Sequence, residues 1–74
     1  MTLEALFARV LGLPVESIDD SIGTETHRQW DSVKHMELVT AIEKSFNVKL
    51  TTRDIYTMKT FGDAKAFLQK RGVL

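Results

Sequence analysis

The segment from residue 30 to residue 48, WDSVKHMELVTAIEKSFNV, decides the fold because it contains the clearest helical pattern in the chain. Its apolar residues recur at three- and four-residue spacing, as expected for one buried stripe of an amphipathic helix. The stripe comprises Val33, Met36, Val39, Ile42 and Phe46, with Leu38 widening it. Asp31 or Ser32 can begin this helix, and Asn47 tolerates the left-handed backbone conformation that ends helices. We therefore predict a helix from about residue 31 to residue 46, followed by an extended segment.

A second helix is predicted at the start of the chain. Its apolar positions have the same spacing and are Leu3, Leu6, Phe7, Val10 and Leu11. Thr2 can cap its first turn. Gly12 and Pro14 end it, because glycine accepts a positive φ and proline bars the residue before it from helical geometry.

Residues 15–30 show no sustained hydrophobic period and are rich in residues that favour loops. Long irregular connections in compact domains are usually functional, disordered or held in place by apolar residues of their own. Such residues are present here: Val15, Ile18, Ile22 and Trp30. We expect an ordered loop that crosses one end of a helical bundle.

Two further helices are predicted after residue 50. Thr51 or Thr52 can cap a short helical turn that runs through Tyr56. Thr60 can cap a last helix, which Gly72 closes. The inward face of this last helix comprises Phe61, Ala64, Phe67 and Leu68. With no strand alternation and no internal repeat, the sequence predicts an all-α bundle of three long helices and one short helix.

Length and composition limit what such a bundle can do. A chain of 74 residues forms one domain, expected to span residues 1–74, with little room for a deep catalytic cleft. It contains no cysteine and two histidines, so neither a disulfide nor a metal site is predicted. The start at Met1 and the absence of linker-like sequence favour a discrete, free-standing protein.

Charge and hydropathy argue against nucleic acid and membranes as partners. Ten basic and ten acidic residues give a formal net charge of zero, whereas binding to a phosphate backbone normally needs a clustered basic surface. No apolar run approaches the ~20 residues of a membrane span, and the N-terminus lacks the apolar core of a signal peptide. We therefore expect a cytoplasmic monomer.

Ser32 is the candidate functional residue, because it lies where the long loop meets the central helix. A serine at a helix start places its hydroxyl beside backbone N–H groups that have no partner within the helix, and these groups favour an attached phosphate. The alternative is that Ser32, or Asp31 before it, only caps the helix. The local pattern leaves both interpretations open.

The motif around Ser32 closely resembles the Asp-Ser-Leu modification site of acyl carrier proteins. The resemblance is carried by WDSVKHMEL at residues 30–38 and extends over essentially the whole chain. Other features occur in the family's order: the first helix, the loop with Leu13-Pro14 and Ile18, the helix end at Phe46-Asn47-Val48, the short helix near Ile55, and TFGD at residues 60–63. The resemblance implies an acyl-carrier-like four-helix bundle.

The family resemblance implies a carrier rather than an enzyme. A phosphopantetheinyl transferase would attach 4′-phosphopantetheine from coenzyme A to the Ser32 hydroxyl, which makes the chain a phosphoprotein. The terminal thiol of this arm would hold an acyl group as a thioester for acyl-loading and acyl-processing enzymes, as in fatty-acid or polyketide biosynthesis. The cofactor would supply the sulfur that the cysteine-free chain lacks.

The resemblance also assigns roles to the neighbours of Ser32. Asp31 matches the acid that the transferase recognises, and helix capping is its alternative role. Val33 stands where the family usually has leucine and keeps an apolar contact. Met36 and Glu37 are candidates for partner recognition, although a methionine at this spacing is also suited to the core and the glutamate to a solvated face.

Lys34 departs from the family pattern, since typical fatty-acid carriers have an acid at this position. Partner enzymes present Arg and Lys to this helix, so a cation here would weaken or redirect their binding. We therefore expect a carrier dedicated to one specialised pathway, such as polyketide, lipid or secondary-metabolite synthesis, rather than bulk fatty-acid synthesis.

Four residues are candidates for an acyl pocket, because acyl cargo in this family can rest between the second and third helices. They are Val39, Ile42, Ile55 and Tyr56. Ordinary core packing is the alternative for them.

Other functions match parts of the pattern. Ser32, His35 and Asp31 supply the residue types of a hydrolase triad. A small bundle offers no enclosed pocket to orient them, and His27 and His35 are expected to face solvent. An unmodified interaction module would recognise partners through the central helix alone. A peptidyl or aryl carrier is less favoured, because such carriers usually show Gly-Gly and a His or Asp before the serine.

Overall fold

The computed structural model describes residues 2–74 and contains four α-helices. They are α1 (Leu3–Leu11), α2 (Ser32–Phe46), α3 (Thr52–Thr57) and α4 (Phe61–Lys70), and a short 3₁₀ helix at Val15–Ser17 follows α1. The predicted all-α class is confirmed, with α3 as the short helix. Residues 2–74 form no strand, and none of their helices is long and apolar enough to cross a membrane.

The helix ends follow local capping rules. At α3, Thr51 Oγ1 accepts from Asp54 N at 3.1 Å, and Asp54 Oδ2 accepts from Thr51 N at 2.9 Å. Thr60 and Asp63 form the same reciprocal pair at α4, with distances of 3.0 and 3.1 Å. At the end of α2, Asn47 adopts the predicted left-handed conformation with a φ of 54°. An N-cap satisfies backbone N–H groups that the helix leaves unpaired and contributes about 1 kcal/mol.

An aromatic cluster joins the long loop to the helices. Trp30 is 2% exposed, and its ring packs edge-on against Phe7 of α1 with the ring centroids 5.4 Å apart. Phe7 also contacts Phe61 of α4 edge-on, at 5.0 Å. Edge-to-face pairs contribute about 0.5–1.5 kcal/mol beyond their buried area. The cluster anchors the residue that precedes Asp31 and Ser32, and so fixes the start of α2.

The loop of residues 15–30 packs against the core, as predicted, but one of its predicted anchors is wrong. Ile18, Ile22 and Trp30 are buried, whereas Val15 is 46% exposed. Val15 begins the 3₁₀ helix, which contains no buried residue. All three residues of this turn are exposed, although Leu13 before it and Ile18 after it pack in or against the core.

The loop backbone crosses directly over the segment that leads into α4. Thr24 N donates to Lys59 O at 2.9 Å, and Phe61 N donates to Ile22 O at 2.7 Å. Gly23 lies between these two bonds, and a Cβ added there would lie 2.5 Å from Lys59 O. A side chain at this crossing would therefore force the two backbones apart.

The predicted apolar stripe of α2 is only partly buried. Leu38, Val39 and Ile42 belong to the core, whereas Val33 is 65% exposed and Met36 is 50% exposed. The burial predicted for these two residues is wrong. They line an open groove beside α1 at the first turns of α2, where one side of each residue stays in solvent.

The start of α3 is held by Arg71, which follows α4. The Arg71 guanidinium donates to Lys49 O at 2.8 Å and to Asp54 Oδ2 at 2.9 Å. Burial alone would raise the pKa of Asp54, but hydrogen bonds from Thr51 and Arg71 outweigh burial and hold this pKa below its usual value. These contacts matter because a helix as short as α3 is not stable by itself.

Candidate functional site

Asp31, and not Ser32, caps α2. Asp31 has extended backbone geometry, and its Oδ1 accepts a hydrogen bond from Lys34 N at 2.9 Å. Ser32 is therefore the first residue of the helix, and its side chain is not needed to satisfy the helix end. The structure assigns the capping role, which the sequence left open between the two residues, to Asp31.

The Ser32 side chain is exposed at the N-terminus of a 15-residue helix. Within residues 2–74, no hydrogen bond engages its hydroxyl. The backbone N–H groups of the first turn and the helix dipole place partial positive charge at this end of α2. Ser32 therefore offers an accessible hydroxyl in a setting that favours an attached phosphodiester.

A cleft of about 570 Å³ opens beside Ser32, between the start of α2, α3 and the segment before α4. Most of the surface that lines it is apolar, and its apolar side chains are Trp30, Met36, Ile55 and Met58. Polar lining residues include Thr24, Tyr56 and Lys59. The cleft thus combines an apolar interior surface with one cation and several hydroxyl groups, next to the candidate attachment residue.

Two of the four residues predicted for an acyl pocket line this cleft, and two do not. Ile55 lines it together with Tyr56, whose side chain is 74% exposed. Val39 and Ile42 are 3% and 1% exposed and belong to the core. They lie two to three turns beyond Ser32, whereas the cleft lies at the first turns of α2. In this structure both residues are packed in the core, as the alternative interpretation expects.

His35 connects three parts of the chain around the cleft. Its Nδ1 lies 2.8 Å from Trp30 Nε1, and its Nε2 lies 2.7 Å from Ile55 O. The two ring planes are inclined by 24° with centroids 5.9 Å apart, as expected for rings joined edge to edge by this hydrogen bond. The prediction that His35 faces solvent is wrong, because the buried indole N–H needs an acceptor and His35 provides it. His27 is likewise half-buried, contrary to the same prediction.

The contacts of His35 exclude the hydrolase arrangement. Both of its ring nitrogens have partners, and neither partner is Ser32, so His35 has no nitrogen placed to accept the Ser32 proton. Asp31 accepts the cap hydrogen bond and does not orient the imidazole. The part of the chain that the structure describes also contains no group of three or more His, Cys, Asp or Glu that could hold a metal ion.

The exposed face of α2 beside Ser32 combines two apolar side chains with an ion pair. Val33 and Met36 are the exposed apolar residues, and Met36 lies on the surface rather than in the core. Lys34 Nζ lies 3.5 Å from Glu37 Oε1, and both side chains are well exposed. All four predicted recognition residues therefore lie within two turns of Ser32, and Lys34 locally balances the charge of Glu37.

Comparisons with known proteins agree with this geometry. A family whose model is described as "Phosphopantetheine attachment site" matches residues 2–68. A solved structure of a candidate acyl carrier protein from Mycobacterium tuberculosis matches with a TM-score of 0.80 at 25% sequence identity, covering 90% of this chain and 89% of that chain. The acyl-carrier-like four-helix fold predicted from the sequence is confirmed.

Proposed function

Because this chain belongs to the phosphopantetheine attachment site family, we propose that Ser32 is the residue that carries its 4′-phosphopantetheine arm. The protein is an acyl carrier and not itself a catalyst. The arm supplies a terminal thiol that holds acyl groups as thioesters, a chemistry that the cysteine-free chain cannot supply. In this proposal residues 1–74 act as one carrier domain.

The free hydroxyl of Ser32 is the observation that carries this proposal. A serine that capped α2 would direct its oxygen at the backbone N–H groups and away from an approaching enzyme. Asp31 already makes that bond, so the Ser32 hydroxyl stays exposed to solvent. The same N–H groups then favour the phosphodiester once it is formed.

A separate transferase would catalyse the attachment as a displacement at phosphorus. The Ser32 Oγ forms the new P–O bond while a diphosphate P–O bond of coenzyme A breaks. The hydroxyl proton passes to a base of the transferase, and adenosine 3′,5′-bisphosphate leaves. Asp31 supports recognition by this enzyme, because the cap uses its Oδ1 and no bond within residues 2–74 engages its Oδ2.

The surface around Ser32 supports a carrier dedicated to a specialised pathway. An enzyme that binds acidic carriers through its own Arg and Lys would meet an already balanced Lys34–Glu37 pair here. The contacts left for a partner are the exposed Val33 and Met36. We infer acyl-loading and acyl-processing enzymes that bind apolar side chains at this face, as in polyketide, lipid or secondary-metabolite synthesis.

The cleft beside Ser32 is the proposed resting place of the acyl cargo. Ile55 and Met36 give it apolar walls, and Tyr56 adds an exposed hydroxyl at the same opening. Its volume of about 570 Å³ leaves room for a short acyl chain.

Intact-mass measurement tests the attachment site. The chain is incubated with coenzyme A and a broad-specificity phosphopantetheinyl transferase, alongside Ser32→Ala and the control Ser45→Ala, which changes another exposed serine of α2. We expect one arm on the wild type and on the control, and none on Ser32→Ala. Helicity should be unchanged in Ser32→Ala, because Asp31 supplies the cap.

Two other results would contradict the proposal. An arm on Ser32→Ala would show that another residue is the attachment site. A wild type that several transferases leave unmodified would contradict the proposal and favour an interaction module that keeps the carrier fold.

A further inference from the structure

The two hydrogen bonds of His35 fix the protonation state of its ring. An indole N–H can only donate, so Trp30 Nε1 donates to His35 Nδ1, which therefore carries no proton. A backbone carbonyl can only accept, so Nε2 carries the proton and donates it to Ile55 O. The observed contacts require a neutral imidazole with its proton on Nε2.

We propose that His35 is a positioning residue that, in this neutral form, links the two sides of the cleft beside Ser32. We call its two hydrogen bonds, to Trp30 Nε1 and to Ile55 O, the clasp. One bond holds Trp30, the loop residue that precedes the cap of α2. The other bond holds Ile55 of α3, which is 20 residues away in the sequence. Because Trp30 and Ile55 both line the cleft, these two bonds set its shape.

The short helix α3 depends on this clasp. Its six residues form too few internal hydrogen bonds for a stable isolated helix. The hydrogen bond from Arg71 to Asp54 joins α3 to the chain after α4 and does not involve α2. Within residues 2–74, the bond from His35 to Ile55 O is the one hydrogen bond that links α3 to α2.

Protonation of His35 would break the clasp. A proton on Nδ1 would face the Trp30 N–H, which places two donors 2.8 Å apart with no acceptor between them. The clasp therefore requires the neutral imidazole and is lost when Nδ1 takes up a proton. A loosened α3 opens the cleft to solvent.

Charged neighbours do not compensate for this loss. Three titratable or charged residues line the cleft with His35: Asp31 at the start of α2, Tyr56 on α3 and Lys59 before α4. The acid of α3, Asp54, does not line the cleft and forms an ion pair with Arg71. Among residues 2–74, no acid forms an ion pair with the imidazole.

Tryptophan fluorescence tests the clasp, because Trp30 is the only tryptophan in the chain. Emission of the full chain without the arm is recorded from about pH 8 to about pH 5, where imidazoles titrate. The variants are His35→Asn and the control His27→Asn, which removes the other histidine. We expect a pH-dependent change in the wild type and the control that His35→Asn lacks. The same change in all three proteins, or no change in the wild type, would overturn the proposal.

Hydrogen exchange of the α3 amides gives a second, independent readout. Acidification should lower their protection factors about fivefold in the wild type, the effect of losing one hydrogen bond. His35→Gln retains a donor that can reach Ile55 O and should keep its protection at both pH values. His35→Asn is too short for this contact and should show the lower protection at both. Protection in the wild type that does not depend on pH would contradict the clasp, whether or not Ser32 is the attachment site.

Discussion

Two substitutions of Asp31 separate its structural role from its proposed role in recognition. Asp31→Ser keeps a side chain that can accept from Lys34 N, so it retains the cap of α2 but removes the carboxylate. Asp31→Ala removes both the cap and the charge. If the transferase recognises the carboxylate, both variants should be modified slowly, although only the alanine variant loses the cap.

The cap and the charge set the expected stability changes. The 2.9 Å bond from Lys34 N to Asp31 Oδ1 is an N-cap bond, and its loss costs about 1 kcal/mol. Loss of a negative charge at the positive end of α2 costs a further 0.3–1 kcal/mol or so. At about 4–8 °C per kcal/mol for a domain of this size, Asp31→Ala should lower the Tm by about 5–15 °C. Asp31→Ser should lower it by only a few degrees.

Thermal unfolding and transferase kinetics measure the two roles separately. We expect Asp31→Ser to lower kcat/KM for modification by about 10- to 100-fold, because a hydrogen bond to a charged group contributes about 1.5–3 kcal/mol. Thr2→Ala is the matched control: it removes the 3.1 Å cap bond of α1 and should lower the Tm without slowing modification. Wild-type kinetics for Asp31→Ser would refute recognition of the carboxylate, and a wild-type Tm for Asp31→Ala would refute the cap.

Two further substitutions test the recognition surface and the tether of α3. Lys34→Glu breaks the exposed pair with Glu37 and should raise kcat/KM with a generic fatty-acid acyl transferase about fivefold. The same change at Lys44 should not raise it. Equal kcat/KM values for Lys34→Glu and the wild type would reject a role of Lys34 in partner choice. Arg71→Gln should lower the free energy of unfolding in urea by about 1 kcal/mol at pH 7. Because the pKa of Asp54 is lowered in the folded chain, its stabilising effect is present at neutral pH and lost on acidification. The difference between the two proteins should therefore shrink below about pH 4 to the part that comes from the bond to Lys49 O.

Local interactions explain why the helices and their caps could be predicted. The bonds that begin α2 and α3 join residues three positions apart, Asp31 to Lys34 and Thr51 to Asp54, so the sequence displays both partners together. The left-handed end at Asn47 is a preference of that residue type. The position of Ser32 at the helix start follows from the same local pattern. Its proposed chemistry follows instead from the family resemblance.

Long-range packing explains what could not be predicted. The spacing of Val33 and Met36 matches that of Val39 and Ile42, yet the first two are exposed because the neighbouring elements do not cover the first turns of α2. Periodicity shows that a face is apolar, but not how much of that face another helix covers.

The sequence by itself determined four helices, the residues able to cap them and the position of a serine at a helix start, since these depend on residues within a few positions of one another. Only the tertiary structure decided which residues line the cleft and that His35 joins Trp30 to Ile55. The two ends of that bridge are 5 and 20 residues from His35, and the contact forms only once the loop, α2 and α3 have packed around the buried indole. A buried indole N–H needs an acceptor, and which residue supplies it depends on the packed fold.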